Sequence, residues 1–529
     1  MFSIFLPTLS YASTYYRFKY FFSFLKKRHP QIVADIPHRV NKNKPLPVLL
    51  IVKNSDVYKA AIEEICIILD DKIIKKQKLN IQPDCDYWDS VFKLEVSEYS
   101  DGYHQINIQV SYTIGKHSFS CFNDNYRSTS HKPIPCYFSS DDLPGFPGYL
   151  KTETHSHSNY TNDQIEFGAS IGASLELGKA IGLDCICITD HSYDLDDLPD
   201  NFLINDPDLS KWKDFRKTVA ELNQTNPEML IIPGEEVSVR NKDKETVHML
   251  VYNSDRYFEG SGDSGEKWFK YFSQYHISEV TSLLPDNALA FAAHPTETIP
   301  TTHKFLLNRN EWNVEDARDK NLTGVQIING HGEDKLAKAI QFWKSLLLQG
   351  YKKYALAGND AHGNYGRNRS IQIPFISISE TYTQIFGNWR TDVFLGKKDR
   401  SVKNFIQALK NGNYSMSNGP ALDMKIINND NTEYTSGSTV SNPHSILLKA
   451  KSTKEFGQLE KYYIYHGDIK NSQEVVYKSG TCTDIYELEI KVPIESISQK
   501  GYFRAEIQSR GPKGHHFAFT NPIWIEPDL

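Results

Sequence analysis

Between about residues 150 and 365 the sequence repeats one device: a short apolar run that leads into a histidine or a carboxylate. Asp184-Cys-Ile-Cys-Ile-Thr189 leads into Asp190-His191, and Met229-Leu-Ile-Ile232 into Gly234-Glu235-Glu236. Ala288-Leu-Ala-Phe-Ala-Ala293 leads into His294-Pro295, Tyr354-Ala-Leu-Ala357 into Asp360-Ala-His362, and His155-Ser-His157 opens the segment. Such runs, with Val325-Gln-Ile-Ile328 among them, read as strands buried on both faces. Helix-like stretches such as Gly168 to Gly182 separate them, so a parallel sheet or a β/α barrel is expected. In a β/α barrel the C-terminal strand ends converge on one mouth. Five elements then aim His, Asp or Glu at one place.

Imidazole and carboxylate together suit zinc, manganese or iron. In an extended strand His155 and His157 point to the same face and can share one ion, as can Asp360 and His362. The flanking sequence has another character. Val91-Phe-Lys-Leu-Glu-Val96 and Ile106-Asn-Ile-Gln-Val-Ser-Tyr-Thr-Ile114 alternate apolar with polar, the strand period of two, with a turn at Ser100-Asp-Gly102. Alternation returns after 421, in Ile446–Ala450, Lys461–Tyr465, Tyr486–Val492 and Tyr502–Ile507. The expected division is an N-terminal extension over 1–45, a β-sandwich over 46–145, a metal-binding barrel over 146–420 and a C-terminal β-sandwich over 421–529. The Pro/Gly-rich stretch Asp141–Tyr149 is read as a linker.

Composition narrows the function classes. The 529 residues carry a net charge of −6, which gives no sign of a broad nucleic-acid-binding surface. No apolar run reaches the length of a membrane span. The segment Arg17–His29 reads as an amphipathic helix or a loose extension. The seven cysteines form no paired motif, and Cys185 and Cys187 read as buried strand residues. No disulfide framework is expected, which fits a reducing cytoplasm.

The motif set resembles the polymerase and histidinol phosphatase (PHP) family of metal-dependent phosphoesterases. The matching stretches are Thr154-His-Ser-His-Ser158, Ile188-Thr-Asp-His191, Pro233-Gly-Glu-Glu236, His248, Ala293-His-Pro295 and Asn359-Asp-Ala-His362. Phe405–Pro420, Tyr502–Glu506 and Phe519–Pro522 are similar to the carbaryl-hydrolase-like branch. The resemblance implies a distorted (β/α)7 barrel with two to three divalent ions (Zn, Mn or Fe). One ion would take His155, His157, Glu236 and Asp360. Glu236 would bridge to a second ion on His248 and His294, and a third would take His191, His362 and Asp163. Glu236 follows from the family spacing Gly-x-Glu, with Glu235 the alternative. The usual Ser-Asp-Gly after His-x-His is here Thr161-Asn162-Asp163, and a Glu common in the strand before Asn329 is Gln326.

The implied chemistry is hydrolysis of a small phosphate ester or nucleotide by a water activated between two ions. Asp190 is expected to orient a ligand. Arg367 and Arg369, in the loop Gly363–Arg369, either grip phosphate or belong to a solvated basic loop. Lys304, His303 and His331 are weaker candidates. A carbamate or ester hydrolase with the same metal centre is the enzymatic alternative. A carbohydrate- or nucleic-acid-binding protein without catalysis is the non-enzymatic one, disfavoured by the intact ligand set.

Overall fold

A computed structural model describes residues 29–526, except 127–128, 163–166, 199–200, 262–271, 300–303, 305–307, 332, 373–376, 496 and 498. The reading of Arg17–His29 as an amphipathic helix falls almost wholly outside the described residues, as do the candidates Asp163 and His303. None of the described helices is long and apolar enough to cross a membrane.

The central sheet uses eight strands: β1 (Tyr149–His157), β2 (Cys185–Ile188), β3 (Leu230–Arg240), β4 (Thr246–Tyr252), β5 (Leu289–Ala292), β6 (Gly324–Asn329), β7 (Tyr354–Gly358) and β8 (Arg390–Phe394). Their order is β7-β6-β5-β4-β3-β2-β1-β8. Among the described residues the helices longer than one turn are α1 (Ile171–Ile181), α2 (Ser210–Thr225), α3 (Ile277–Leu283), α4 (Glu333–Leu348) and α5 (Val402–Lys410). Local chemistry explains α1. The Ser170 side chain accepts from the Ala173 N–H at its start, and Gly182 ends it at φ 101°.

This architecture corrects the expected (β/α)7 barrel between two separate sandwiches. The described residues are 46% strand and only 14% helix. β3 and β4 form an antiparallel hairpin, and β4 also runs antiparallel to β5. The link Asn241–Glu245 is too short for a parallel crossover, which takes about a dozen residues or more. Between β5 and β6 the described residues include a three-residue helical turn, Asp316–Arg318. Nor does the sheet stop at residue 420. β8 pairs with Tyr414–Ser417, which pairs with Gly514–Thr520, so the C-terminal strands continue the central sheet. A four-stranded sheet of Glu433–Thr435, Ala421–Asn428, Pro443–Lys451 and Glu487–Pro493 packs against that continuation.

The central strands are buried on both faces. Cys185, Cys187, Leu230, Ile232, Leu250, Phe291 and Leu356 share one core. Ile186, Ile188 and Ile231 pack in another with Leu175 and Ile181 of α1 and Phe215 and Val219 of α2. The far end of β7 comes back to β1, where Asp360 donates its N–H to the His155 carbonyl at 2.8 Å. Gly358 permits this approach, since a Cβ there would lie 2.6 Å from His155 Cβ. All seven cysteines are free thiols.

Among the described residues strands begin at Gln31, ahead of residue 46. Gln31–Asp35, Leu46–Lys53 and Tyr87–Leu94 make one sheet, and Arg39–Asn41 joins the second at Ile134–Ser139. Val91–Val96 and Ile106–Ile114 therefore supply strands to different sheets over a shared core. The turn at Ser100–Gly102 crosses between those sheets.

The loop Gly363–Arg369 is buried against this N-terminal part, which corrects the reading of its arginines as phosphate-gripping. Arg369 Nε meets Asp124 Oδ2 at 2.8 Å, and Arg367 donates to the carbonyls of Lys132 and Pro133 at 2.7 and 3.0 Å. Asp35 accepts the N–H groups of Tyr365 and Gly366. Removing one partner of a buried ion pair strands the other, at a cost of about 3–5 kcal/mol. Arg369→Ala should lower unfolding stability by about that amount in denaturant titrations. An unchanged midpoint would show the loop to be unanchored.

Candidate metal centre

Six imidazoles and two carboxylates meet where β1, β2, β3, β4, β5 and β7 come together. Glu236 is at the centre. It lies inside β3, which runs on to Arg240, so Glu235 and Glu236 face opposite sides of the strand. Glu236 Oε1 is 2.8 Å from His248 Nδ1 and 3.0 Å from His294 Nε2. Its Oε2 is 3.3 Å from His155 Nε2, from His157 Nε2 and from His191 Nδ1. Each oxygen thus faces its own set of imidazoles. Asp360 Oδ1 stands 3.2 Å from His157 Nε2 and 3.5 Å from His155 Nε2.

Among the described residues four groups have ligand atoms within 4.8 Å of one another: His155/His157/Glu236/Asp360, His191/Glu236/His248, His157/His191/His362 and His294/Glu297/Asp360. The donor chemistry fits divalent metal. His155 Nε2 and His157 Nε2 are 3.2 Å apart while both face the same carboxylates. Two converging imidazole lone pairs repel unless a proton or a cation lies between them. The nitrogen and oxygen donors suit zinc, manganese or iron.

Glu235 points away, accepting from Trp212 Nε1 at 2.7 Å and lying 3.4 Å from Ser192 Oγ. Burial pushes its carboxyl up to about 7. Asp190 does not reach the cluster centre. It is fully buried and accepts from Ser158 N–H, Ser158 Oγ and Thr161 N–H at 2.7, 2.6 and 3.1 Å. Thr161 Oγ1 then lies 3.4 Å from His157 Nδ1, so Asp190 holds the loop that supports this imidazole.

An amide network underlies the cluster, centred on Gln326, which the sequence singled out as a supporting residue, and extended by Asn329 and Gln384, which it did not. Gln326 Oε1 takes His155 Nδ1–H at 2.9 Å, and Gln326 Nε2 donates to Asn329 Oδ1 at 2.9 Å. Asn329 Nδ2 and Gln384 Nε2 each donate to Asp360 Oδ2 at 3.1 Å. Glu297, also missed, lies 3.3 Å from His294 Nδ1 and 3.1 Å from His331 Nε2. Its sequence signal was a carboxylate three residues after His294. Arg309 Nη2 approaches His248 Nδ1 at 3.4 Å, and no local motif marked it.

The charges reinforce one another. Burial works to lower the His155 pKa, but Glu236 and Asp360 outweigh it and hold the imidazole at about 9. Burial likewise opposes the ionised forms of Glu236 and Asp360, yet the neighbouring histidines keep both well below the usual carboxylate range. Glu297 is drawn to about 2 against its burial by His331 and His294.

No protein-family model matches the chain, and no curated protein matches it. Solved structures align over most of its length at very low similarity. A Parabacteroides merdae β-glucuronidase is 8% identical, with 94% of this chain and 64% of that one covered, at TM-score 0.18. A Dictyoglomus thermophilum β-D-mannosidase is 6% identical, with 93% and 66% covered, at TM-score 0.23. A Paenibacillus sp. cycloisomaltooligosaccharide glucanotransferase is 10% identical, with 93% and 69% covered, at TM-score 0.18. The chain spans under two thirds of the length of the β-glucuronidase. Likeness at this level transfers neither fold nor activity.

Metal ligation requires neutral imidazole, whereas the ion-free cluster holds His155 protonated at pH 7 because its pKa is about 9. Ion binding at pH 7 should therefore release protons, and the His155 contribution should vanish above pH 9. Calorimetric titration with zinc or manganese in buffers of different ionisation enthalpy measures this directly. The same titrations should give two to three equivalents, and Glu236→Gln should lose at least one. Glu235→Gln should keep them all; loss of an ion in Glu235→Gln alone would move the bridging role to Glu235.

Proposed function

We propose that this chain is a metal-dependent hydrolase that cleaves a phosphate ester of a small molecule or nucleotide. One observation carries the reading: the two oxygens of Glu236 face separate imidazole sets, the arrangement a carboxylate needs to bridge two ions. Ions bound there supply an acidified water and offset charge on the ester. The resemblance of the motifs to PHP phosphoesterases points to the same chemistry.

The chain's own residues then have distinct tasks. Glu236 fixes the spacing of two cationic positions and offsets their repulsion. His155, His157 and Asp360 hold one side, and His248 and His294 the other. Asp190 keeps the Ser158–Thr161 loop in place under His157. His191 and His362 crowd against His157, with ring centroids 4.4 and 4.0 Å away. They extend the nitrogen-rich wall on that side. Arg309, beside His248, is the guanidinium placed to meet an anionic ester oxygen, a task that Arg367 and Arg369 cannot perform from their buried contacts.

A carbamate or carboxylic ester is the second reading. It is favoured by the crevice beside His294, where Ile327, Ile328, Leu336 and Trp389 provide apolar lining.

The metal-loaded protein should hydrolyse p-nitrophenyl phosphate or bis-p-nitrophenyl phosphate faster than naphthyl carbamates or carboxylic esters. The reverse order would select the second reading, and inactivity toward all of them with ions bound would defeat both. Glu236→Gln should lower the rate on the order of 10³-fold, which corresponds to ~4 kcal/mol of barrier. Arg309→Ala should raise KM for the phosphate substrates about tenfold or more and leave uncharged esters unaffected. Equal effects on both classes would remove Arg309 from anion recognition.

A further inference from the structure

His294 is held between two carboxylates. Its Nε2 faces Glu236 Oε1 at 3.0 Å, and its Nδ1 faces Glu297 Oε2 at 3.3 Å. A neutral imidazole carries one N–H and one lone pair. If the lone pair at Nε2 is turned toward an ion beside Glu236, the proton must sit on Nδ1 and be given to Glu297. Glu297 is itself pinned. His331 Nε2 meets its Oε1 at 3.1 Å, and Asn329 Nδ2 donates to its Oε2 at 3.3 Å.

The neighbouring ligands are supported differently. His155 Nδ1 meets the amide oxygen of Gln326 at 2.9 Å, His157 Nδ1 the hydroxyl of Thr161 at 3.4 Å, and His362 Nδ1 the carbonyl of Asp360 at 3.1 Å. These are neutral oxygens. A carboxylate acceptor makes an imidazole a stronger donor than a neutral acceptor does, and it fixes both tautomer and ring plane.

We propose that Glu297 is a positioning residue that sets the affinity of one ion in the centre, the ion taken by His294, His248 and Glu236, with His331 and Asn329 holding it in register. This deepens the proposed function and rests on its reading of the cluster as an ion site. His331 thereby gains a role at the rim, three contacts from the ion: His331 to Glu297, Glu297 to His294, His294 to the ion.

The test is zinc titration of the full-length protein by calorimetry, with elemental analysis of stoichiometry. Glu297→Gln keeps the side-chain shape and removes the charge. It should weaken one ion by about 10–100-fold and leave the remaining equivalents at wild-type affinity. Nitrogen-15 resonances of the imidazoles give a second readout. His294 should show the Nδ1–H tautomer in the loaded wild type and lose that single state in Glu297→Gln. Wild-type affinity for every ion, or uniform weakening of all of them, would overturn the proposal. Should Glu297→Gln fail to fold, His331→Gln carries the test. Weakening confined to one ion supports the proposal, and unchanged binding of all ions overturns it. A wild-type protein that takes up no zinc or manganese at all would instead defeat the metal reading on which the proposal stands.

Discussion

The Glu236 carboxylate is buried to 1% exposure with imidazole nitrogens within 3.3 Å of both its oxygens. A charge removed from water to that depth is tolerated only where opposite charge or strong donors compensate it. Residues carried on or just beyond six separate strands must therefore meet within a few ångströms of one another. The strain this imposes is visible in the backbone. His294 and Asp360 both adopt left-handed conformations, with φ of 28° and 52°. Away from turns, where Asn and Asp adopt it readily, a non-glycine residue keeps such a conformation when its surroundings fix it. At Asp360 those surroundings are the bond to the His155 carbonyl and the two amides on its Oδ2.

The choice of an amide at Gln326 follows from the same charge balance. Gln326 accepts from His155 Nδ1 and donates from Nε2 to the Ile328 carbonyl and to Asn329 Oδ1. A glutamate could accept from His155 but would turn repelling oxygens toward the Ile328 and Asn329 acceptors. It would also add a further negative charge to a region that already holds Glu236, Asp360 and Glu297. The neutral amide ties His155, on one side of the centre, through Asn329 to Asp360 and Glu297. Both halves of the cluster thus share one scaffold on β6.

The residues of the cluster were legible in the sequence for a physical reason. A polar side chain just past an apolar run must lie at a strand end or inside a satisfied network, and His191, Glu236, His294 and Asp360 carry that signature, while His155 and His157 were marked by their His-x-His spacing. The topology was less legible. Thr246–Tyr252 places His248 inside a fully buried strand, so no run announces it and no helix follows it. The antiparallel hairpin it makes with β3 depends on the short Asn241–Glu245 turn, a local feature with no trace in the apolar periodicity. Arg367 and Arg369 were misread because their partners, Asp124, Lys132 and Pro133, lie more than 230 residues earlier in the chain. Two arginines just past a ligand motif look alike whether they face a substrate or a neighbouring sheet.

Those arginines still bear on the centre. Asp360 and His362 leave β7 on the segment that continues directly into Gly363–Arg369. Four features of that loop are committed to the N-terminal part: the N–H groups of Tyr365 and Gly366 on Asp35, Arg367 on two carbonyls, and Arg369 on Asp124. Gly366 is required there, because a Cβ would lie 2.5 Å from Ile134 Cγ2 and 2.7 Å from the Ile36 carbonyl. The N-terminal strands therefore act as a brace on the chain just beyond two of the cluster residues. A brace must be stiff and need not touch the reacting atoms, which accounts for a buried ion pair where a substrate-binding loop would keep its cations in water. The geometry of the centre is thus set from two directions, by the amides of β6 beneath it and by the N-terminal sheets beyond His362.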